Sequence, residues 1–564
     1  MKREWWHGLV GYQIYPRSFY DSNGDGIGDL PGILKKLDYL KGLGADLLWL
    51  SPMYPSPMVD NGYDISDYYG VDPRFGTLED LDRLIAETKK RGMYLILDLV
   101  VNHCSDQHPW FQSAVADPSG KYGGYFYLKE GKDGQPPNNW RSLFGGSAWE
   151  KLPGQDNLYY LHIFAKQQPD LNWENPALRE EIYRMVNWWL DRGIAGFRLD
   201  AITNLKKDLT WEDLPPDGPD GMGNISESIA RMIRRDGGTR NGIGVFLSEL
   251  RERCFVPHDA FTVGEASHVS PERLSEFIGE DGYFSTMFAF DAINSHIRGV
   301  CYCEDDRHMD PDAWKRDVFV NQAALKDFAF EANVVENHDR PRAASLFIPE
   351  EEYGFASVTA LAGLLVLQRG MPFLYQGQEI GMTNCPFELE EFDDLSTLDN
   401  YRFSLKSGHS KEEALEGCAR MSRDNSRTPM QWSAEENAGF GGGRPWLKVN
   451  PNYPRINVAR QEAEYGSILN FYRRLLNFYK SEEYHEILTY GDFEPLYEDQ
   501  EKIFSFRRTL GEKTLTVICN FSGSERFLSL KEDYSEVIFV NLPQVTRIGD
   551  NLILHPFQLI VTEK

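Results

Sequence analysis

Eight short apolar runs, most of them followed by a helical pattern, constrain the fold of this 564-residue chain more than any other feature. A strand that is buried on both faces is apolar along its whole length, and its alternation with helices is typical of a parallel sheet. Eight such units predict an α/β fold of the (β/α)8 TIM barrel type. In chain order the runs are GYQIYPRSF, ADLLWLSP, YLILDLV, GFRLD, FTVGEA, FSTMFAFD, FEANVVENHD and PFLYQGQEIG.

Two of the helices between these runs carry clear end signals. Thr77 and Asp80 have the spacing of a capping box, and Gly92 ends the helical pattern near residues 77–91. Asn175 and Pro176 fit the N-cap and the first position of the next long helix. Further helical patterns lie near residues 30–43, 225–235, 243–254, 270–278, 311–328, 355–369 and 465–481.

Two interruptions and one change of pattern divide the chain. The segment after the third run is rich in Gly, Pro, Asn and aromatic residues and has no helical period, which predicts a domain inserted after strand three. A long polar insertion occupies about residues 383–460, and the last runs alternate like antiparallel strands. The predicted divisions are 1–103 and 172–484 for the barrel, 104–171 for the inserted domain B, and 485–564 for a C-terminal antiparallel β domain.

The charge balance limits the partners that we expect. The chain has 59 basic and 86 acidic residues, a net charge of −27, which repels phosphate backbones and anionic lipid. No run approaches the roughly 18–20 apolar residues of a membrane span, and no signal peptide is evident. We therefore expect no nucleic-acid or membrane partner, a cytoplasmic location, and a monomer or weak oligomer.

The seven cysteines do not form a recognisable framework. Their number is odd and their spacing irregular, which does not indicate a set of disulfides or a zinc site. Cys301 and Cys303 make only a CxC pair. We expect reduced thiols.

Polar residues concentrate where the predicted barrel strands end, and active sites of such barrels lie at this end. A single carboxylate at a strand end is more often a helix cap or a surface residue, but four of these strand ends carry one. The joint pattern predicts an active site. The residues are Asp98 within the third run and His103 just after it, Arg198 and Asp200 at the end of the fourth, Glu265 at the end of the fifth, and His338 and Asp339 at the end of the seventh.

Two of these carboxylates suggest acid–base chemistry. Arg198 and Asp200 lie two residues apart on a strand and point to the same side, so the guanidinium should lower the pKa of Asp200 and keep it ionised as a nucleophile. Glu265 follows the apolar Val263, and partial burial would raise its pKa towards that of a general acid. This pair is the minimum for retaining glycoside hydrolysis, with the carboxyl groups about 5–5.5 Å apart. Asp98, in mid-strand, should orient its neighbours.

The loop DSNGDGIGDL, residues 21–30, has the spacing of a cation site at its start only. Asp21, Asn23 and Asp25 reproduce the first half of an EF-hand loop. The second half fails, because Gly32 stands where a bidentate Glu is required, and a strand rather than a helix precedes the loop. From the residues alone, a metal loop on another fold and a polar turn both stay open.

Eight ordered motifs then indicate a family. The chain resembles the α-amylase family of glycoside hydrolases, and within it the α-glucosidase and oligo-1,6-glucosidase branch. The match runs from residue 12 to about 440. The motifs are DLVVNH, GFRLDAI, VGEA, ENHDR, QPDLNWENP, DNGYDISDY, SRDNSRTPMQW and PFLYQGQEIGM.

The resemblance assigns roles to individual residues. It implies that Asp200 is the nucleophile, Glu265 the acid/base and Asp339 a third carboxylate that grips sugar hydroxyls. Tyr63 would stack on the sugar. The other residues implied to bind the terminal glucosyl unit are Asp60, His103, Arg198, His338 and Arg423, the last favoured over Arg427.

The resemblance also bears on the metal question and on the ligand. It implies that the early loop holds a structural calcium ion through Asp21, Asn23, Asp25, the carbonyl of Ile27 and Asp29, far from the chemistry. It implies no catalytic cofactor, and a small oligosaccharide as the substrate.

The match thins after the nucleophile. In this branch a Val next to the nucleophile goes with α-1,6 preference and a Thr-like residue with α-1,4 preference, whereas this chain has Ala201. The loop at residues 203–224 also departs from the family pattern. Lys206 and Lys207 in this loop could contact a leaving-group sugar, although two adjacent lysines usually form a solvated face.

We predict a retaining, exo-acting α-glucosidase that releases glucose from short isomalto- or malto-oligosaccharides, with sucrose as a further substrate to consider. A trehalose-6-phosphate hydrolase and a glucosyl-transferring sucrose or maltose isomerase are the alternatives. A non-catalytic, transporter-associated relative should lack the carboxylates and carry a membrane anchor, and neither is seen.

Overall fold

The protein is built around one parallel sheet, and further strands lie in an inserted segment and in the C-terminal part of the chain. The computed structural model describes residues 2–218, 220–235, 242–298, 301–530, 534 and 536–564. Strands β1 to β3 are Gly11–Ile14, Leu47–Leu50 and Tyr94–Leu99. Strands β4 to β7 are Leu128–Glu130, Trp140–Arg141, Trp149–Lys151 and Leu158–Leu161. Strands β8 to β13 are Gly196–Leu199, Gly223–Asn224, Phe261–Gly264, Thr286–Met287, Ala332–Asn333 and Met371–Tyr375.

The central sheet is a closed (β/α)8 barrel. Its strand order is β11, β10, β8, β3, β2, β1, β13, β12, and all neighbours are parallel. A parallel bridge between Phe288 and Ala332 joins the two outer strands and closes the ring. Each of the eight predicted apolar runs overlaps one barrel strand, so the predicted fold class is confirmed. The reason is burial: nearly every strand residue lies inside the barrel or under the helices.

The helices follow the predicted alternation, with caps where the sequence places them. Thr77 and Asp80 form the capping box, and the Asn175 side chain accepts from the Ala177 N–H. The helix Gly244–Leu250 continues as a π-helical segment, Arg251–Phe255. The α-helices α1 to α9 are Leu30–Leu43, Leu78–Lys90, Pro109–Ala116, Pro176–Asp191, Ser226–Arg235, Gly244–Leu250, Leu274–Phe277, Phe290–Ile293 and Pro311–Leu325. Helices α10 to α17 are Ala343–Leu346, Phe355–Leu367, Leu395–Lys406, Lys411–Met421, Asp424–Arg427, Val458–Ala463, Ile468–Tyr479 and His485–Tyr490.

Helices α3, α12 and α13 lie outside the predicted helical patterns, although α13 buries Ala414, Cys418 and Met421 at helical spacing. Helix α3 has only eight residues and buries Phe111 and Ala114, which is too little for a recognisable stripe. Helix α12 buries the small polar residues Thr397 and Ser404 instead of apolar ones. A pattern search for apolar spacing therefore misses it.

The segment after β3 packs over the C-terminal end of the barrel. It contains a small antiparallel sheet of β4, β7 and β6. The parallel pair of β5 and β9 joins the inserted segment to the loop that follows β8, with Trp140 opposite Gly223. This pairing brings the loop after the predicted nucleophile against the inserted segment.

An antiparallel β domain ends the chain. Its two sheets have the orders β14, β15, β16, β21, β18 and β17, β20, β19. Within the described ranges, no helix has both the length and the apolar character needed to cross a membrane. The strands β14 to β21 are Asp492–Leu496, Ile503–Leu510, Lys513–Asn520, Arg526–Ser529, Glu536–Val540, Thr546–Ile548, Asn551–Leu554 and Leu559–Glu563.

A buried ion pair anchors the inserted segment to the barrel. The Lys207 Nζ lies 2.7 Å from Asp170 Oδ2 and donates to Asn102 Oδ1 at 2.8 Å. Both charged side chains are almost fully buried, and Asp170 also accepts from the Ile163 N–H. The expectation of a solvated face is therefore wrong for Lys207. The neighbouring Lys206 forms an ion pair with Glu174.

We expect Lys207→Met to destabilise the protein by about 3–5 kcal/mol, because the buried carboxylate of Asp170 would lose its cationic partner. A lower urea midpoint measures this loss. Lys121→Met is the control, since the Lys121 side chain is 55% exposed in its pair with Glu181 and such pairs contribute about 0–1 kcal/mol. Equal midpoints for the two variants would contradict the anchoring role.

Candidate active site

A cavity of about 350 Å³ opens where the barrel strands end. It brings together all nine residues that the sequence assigns to catalysis and sugar binding. Two of them, Arg198 and His338, are fully buried behind the cavity wall. The seven that line it are Asp60, Tyr63, His103, Asp200, Glu265, Asp339 and Arg423.

The guanidinium of Arg198 holds three carboxylates. Its Nη1 donates to Asp98 Oδ1 at 2.7 Å and to Asp200 Oδ1 at 2.5 Å. Its Nη2 donates to Glu265 Oε2 at 2.7 Å. The strand register is the cause: Arg198 lies opposite Asp98 on β3 and Val263 on β10, so Glu265 follows its strand at the level of Asp200. One buried cation therefore links the candidate nucleophile with the candidate acid.

The charge state of Asp200 depends on how the Arg198 guanidinium is shared among the three carboxylates. Burial is the largest influence and raises the pKa of Asp200 well above its usual range, while Arg198 acts in the opposite direction. Arg198 acts in the expected direction but also serves Asp98 and Glu265, so the expectation that it leaves the pKa of Asp200 lowered is wrong. The direct ion pair at 2.5 Å is what favours the ionised form of Asp200.

Glu265 does not lie in the apolar environment that its sequence position suggested. Its Oε2 accepts from Arg198 and from the Ala201 N–H at 2.8 Å, and its side chain is 27% exposed. Its Oε1 has no hydrogen-bond partner among the described residues. Ala201 adopts a left-handed backbone conformation (φ 43°, ψ 35°), which is unusual for a residue with a Cβ and is often found at functional sites.

Asp339 is the most strongly paired of the candidate catalytic carboxylates. His338 Nε2 lies 3.0 Å from its Oδ2, and Arg427 and Arg423 reach its Oδ1 at 3.0 and 3.2 Å. Burial opposes ionisation, but these three neighbours outweigh it and hold the pKa of Asp339 well below its usual range. Asp339 is therefore an anion at any physiological pH.

Tyr63 is fixed by two hydrogen bonds and a stacked ring. Its hydroxyl lies 3.0 Å from Asp98 Oδ2 and 2.5 Å from His338 Nε2. The rings of Tyr63 and His338 are nearly parallel, with their centroids 5.2 Å apart. Gln13 contacts the other nitrogen of His338 at 2.7 Å. One face of Tyr63 is thus held by the protein while the residue lines the cavity.

A buried polar network lies beside these residues. Arg423 Nη2 donates to Asp394 Oδ1 at 2.5 Å and to Asp60 Oδ1 at 3.1 Å. Gln168 donates to the other oxygen of Asp60 at 3.0 Å and lies 3.1 Å from His103 Nε2. Burial lowers the pKa of His103, which favours a neutral imidazole. Segments far apart in sequence therefore meet around Asp60.

The choice of Arg423 over Arg427 agrees with their positions. Arg423 lines the cavity, whereas Arg427 is fully buried and donates to the backbone carbonyl of His338. Both contact Asp339.

Several residues at the site were not predicted as such, and four of them have clear polar roles or positions. Gln168 and Arg340 stand inside the motifs QPDLNWENP and ENHDR, so the motifs contained a signal for them. Asp394 and Tyr302 lie in segments without a recognisable pattern. Tyr302 lines the cavity, and Asp394 supports Arg423 from behind.

Comparison with known families agrees with this geometry. A family model described as the α-amylase catalytic domain matches residues 13–491. The chain belongs to the α-amylase family. It is a glycoside hydrolase of that family, and the resemblance inferred from the motifs is confirmed.

Two similar α-amylase-family proteins cover nearly the whole chain. The oligo-1,6-glucosidase of Halalkalibacterium halodurans is 43% identical over 529 residues, which are 93% of this chain and 91% of that protein. The glucan 1,6-alpha-glucosidase of Streptococcus pneumoniae is 40% identical and covers 100% of both chains.

Solved structures resemble the whole molecule as well. The trehalulose synthase MutB of Pseudomonas mesoacidophila MX-45 superposes with a TM-score of 0.91 at 39% identity and covers 100% of both chains. The isomaltulose synthase of Klebsiella sp. LX3 gives a TM-score of 0.90 at 37% identity, again over 100% of both chains.

The early acidic loop has the chemistry of a hard-cation site. Asp21 and Asp29 are each 3% exposed, and in the described part of the chain no basic side chain forms an ion pair with them or with Asp25. Burial raises the pKa of Asp29. Asp21 accepts three backbone N–H groups of the loop, and Asp29 caps α1 through the Gly32 N–H.

The carboxylates do not form a closed cluster, because the three Asp side chains are not within 4.8 Å of one another in the described structure. We propose that calcium binds here and draws Asp21, Asn23, Asp25, the Ile27 carbonyl and Asp29 together. Oxygen donors of this kind suit calcium, and the ion would compensate two buried negative charges.

We expect calcium at about one hundred times its dissociation constant to add about 2.7 kcal/mol of stability and to raise the Tm by about 2 °C over the value in EDTA. Asp21→Asn should abolish this shift. Asp550→Asn, at a side chain that is 88% exposed, should leave it unchanged. A wild-type Tm that is the same in calcium and in EDTA would refute the calcium site.

Proposed function

We propose that the protein is a retaining, exo-acting α-glucosidase that releases glucose from the non-reducing end of short α-glucosides. The observation that carries this proposal is the arrangement around Arg198, which holds Asp200 and Glu265 on adjacent strands at the same level. Two carboxyl groups bound to one guanidinium are close neighbours, as retaining hydrolysis requires.

The reaction follows from the two carboxyl groups. Asp200 attacks the anomeric carbon while Glu265 gives its proton to the glycosidic oxygen, so the leaving sugar departs as an alcohol. Glu265 then removes a proton from water, whose oxygen attacks the same carbon and frees Asp200. The configuration at the anomeric carbon is inverted twice and thus retained.

Hydrogen bonding supports Oε1 of Glu265 as the atom that carries the proton. Oε2 already accepts from Arg198 and from the Ala201 N–H. A proton on Oε1 costs no hydrogen bond, because that oxygen has no partner in the described structure. Glu265 lines the cavity, which supports access of Oε1 to a substrate oxygen.

The network around Asp60 supports action at a chain end. Asp60, Arg423 and Asp394 are nearly buried and bound to one another, and Asp60 and Arg423 form part of the cavity wall. Such polar groups can hydrogen-bond the hydroxyls of a terminal glucosyl unit. A buried wall of this kind favours a pocket over an open cleft.

The charges of the cavity favour a neutral sugar. Four carboxylates line it, whereas its cationic lining consists of Arg340 and Arg423 among the described residues. Arg423 is already bound to three carboxylates. A phosphorylated substrate would face net repulsion, which disfavours the trehalose-6-phosphate alternative.

The names of the similar glycosidases support α-1,6 linkages as the first choice. The chain's own residues do not indicate a linkage, because Ala201 is neither the Val nor the Thr-like residue that the branch associates with one. Sucrose isomerisation is the second candidate, because the similar solved structures are named trehalulose and isomaltulose synthases. The hydrolysis and isomerisation reactions differ in whether water or the released sugar attacks the glucosyl-enzyme.

We also propose a cytoplasmic location and a monomeric or weakly associated state. All seven cysteines are free, and most of them are buried. Reduced thiols of this kind are typical of proteins in a reducing compartment.

We expect glucose to be released from isomaltose, and more slowly from maltose, in a panel that also contains sucrose, trehalose and trehalose 6-phosphate. Chromatography of all products distinguishes the candidates. Rearranged disaccharides with little free glucose would favour the isomerase. If no member of the panel gives any product, both candidate functions are overturned.

We expect Asp200→Asn to lose turnover on every substrate, because the glucosyl-enzyme cannot form. Glu265→Gln should lose about 10²–10⁴-fold on isomaltose. It should lose much less on 4-nitrophenyl α-glucoside, whose leaving group needs no proton. Asp38→Asn, at a side chain that is 86% exposed, is the control. Circular dichroism checks folding, and substantial activity of folded Asp200→Asn would exclude it as the nucleophile.

A further inference from the structure

Cys301, Cys303 and His409 come together outside the catalytic centre. Their sulfur and nitrogen atoms all lie within 4.8 Å of one another. In the part of the chain that the structure describes, no other group of three His, Cys, Asp or Glu residues meets this limit. The CxC pair alone gave no reason to expect a site, since His409 lies more than one hundred residues further along the chain.

We propose that these three residues bind a thiophilic divalent metal ion, of which Zn²⁺ is the type. Two thiolates and one imidazole are a ligand set that suits zinc. With Zn–S distances of about 2.3 Å and Zn–N distances of about 2.0 Å, the ligand atoms of one tetrahedral site lie roughly 3.3–3.8 Å apart. The observed cluster needs only a small contraction to reach this geometry.

The thiols have weak partners that a metal can replace. Cys301 Sγ lies 3.0 Å from Ser404 Oγ, and Cys303 Sγ donates to the backbone carbonyl of Glu413 at 3.5 Å. Binding of one divalent ion would release the two thiol protons to solvent and leave a neutral pair of thiolates and metal. No oxidant or reductant is involved.

Two carboxylates surround the imidazole. Glu304 Oε1 lies 3.8 Å from His409 Nε2, which is a distance expected between two ligands of one ion. Glu413 Oε2 lies 3.9 Å from Nδ1. A carboxylate on the far nitrogen of a metal-bound histidine is the usual orienting partner. Glu304 or water would therefore complete the coordination, and Glu413 would orient His409.

The position of the site connects it with the active-site cavity. Tyr302, between the two cysteines, lines the cavity, and its backbone N–H donates to Asn400 Oδ1 at 3.0 Å. Its carbonyl accepts from Arg420 at 2.8 Å. His409 lies in the connection between α12 and α13. The metal would thus cross-link two segments of the wall and restrict the movement of Tyr302.

The binding test uses the full chain without an affinity tag, stripped of metal and reduced with a phosphine instead of a thiol. Co²⁺ serves as the probe, because bound thiolates give a charge-transfer band that carboxylate sites do not, and Zn²⁺ is then measured by competition. Excess Ca²⁺ is present throughout so that the acidic loop is saturated. We expect one ion per chain and a band typical of thiolate ligands.

Cys303→Ser and His409→Ala should each weaken Co²⁺ and Zn²⁺ binding at least tenfold, a loss in the range that metal sites show when a ligand or its support is removed. Cys254→Ser is the control, because Cys254 is a buried free thiol beside α4. Cys303 is only half-buried, so its replacement tests the site without opening the core. Absence of the band in the wild type, or equal binding by Cys303→Ser and Cys254→Ser, would overturn the proposal.

A second readout tests the connection to Tyr302. We expect saturating Zn²⁺ to change the KM for a cleaved α-glucoside in the wild type and in Cys254→Ser, but not in Cys303→Ser. An unchanged wild-type KM would refute the effect on the cavity. The spectroscopic result does not depend on turnover, so its failure is distinguishable from failure of the proposed glucosidase activity.

Discussion

The buried guanidinium of Arg198 is the interaction on which the site depends. Three carboxylates of the barrel, Asp98, Asp200 and Glu265, converge on this one cation. Without it, their mutual repulsion and loss of hydration would oppose the close approach that the chemistry needs. A planar guanidinium with several fixed donors can serve three acceptors at once, whereas an ammonium group could not do so in this geometry. The strand register of the barrel brings the three carboxylates together, and the positive charge of Arg198 allows them to lie close to one another.

Insertions, rather than barrel strands, supply much of the pocket wall around this centre. Asp60 comes from the loop after β2 and Gln168 from the inserted segment, while Arg423 and Asp394 come from the long insertion after β13. Lys207 and Asp170 lock the inserted segment to the loop after β8. The candidate catalytic pair thus rests on regular structure, and the candidate sugar-binding residues rest on long-range contacts between loops. Substrate preference can change through these loops while the strand ends stay the same.

The parts that sequence reasoning predicted are those with a local physical signal. Barrel strands are buried on both faces and are therefore apolar throughout, and the caps at Thr77 and Asn175 obey short-range hydrogen-bond rules. Helix α12 could not be found in this way, because its buried face carries Thr397 and Ser404. The pairing of Lys207 with Asp170 and the approach of His409 to the two cysteines depend on tertiary contacts over many residues. No spacing rule contains that information.

The same distinction applies to the roles of the carboxylates. Their positions follow from the strands, but hydrogen bonding distinguishes the carboxyl groups that keep a free oxygen from the one that does not. Asp98 accepts from Arg198, Trp49 and Tyr63, so that protonating it would cost established bonds. Asp200 Oδ1 makes the short contact with Arg198. Asp200 Oδ2 and Glu265 Oε1 have no hydrogen-bond partner in the described structure, so each of these two carboxyl groups keeps a free oxygen. Hydrogen bonding therefore sets Asp98 apart, which fits the orienting role expected of it, and the candidate nucleophile and candidate acid are the two carboxyl groups that keep a free oxygen and line the cavity.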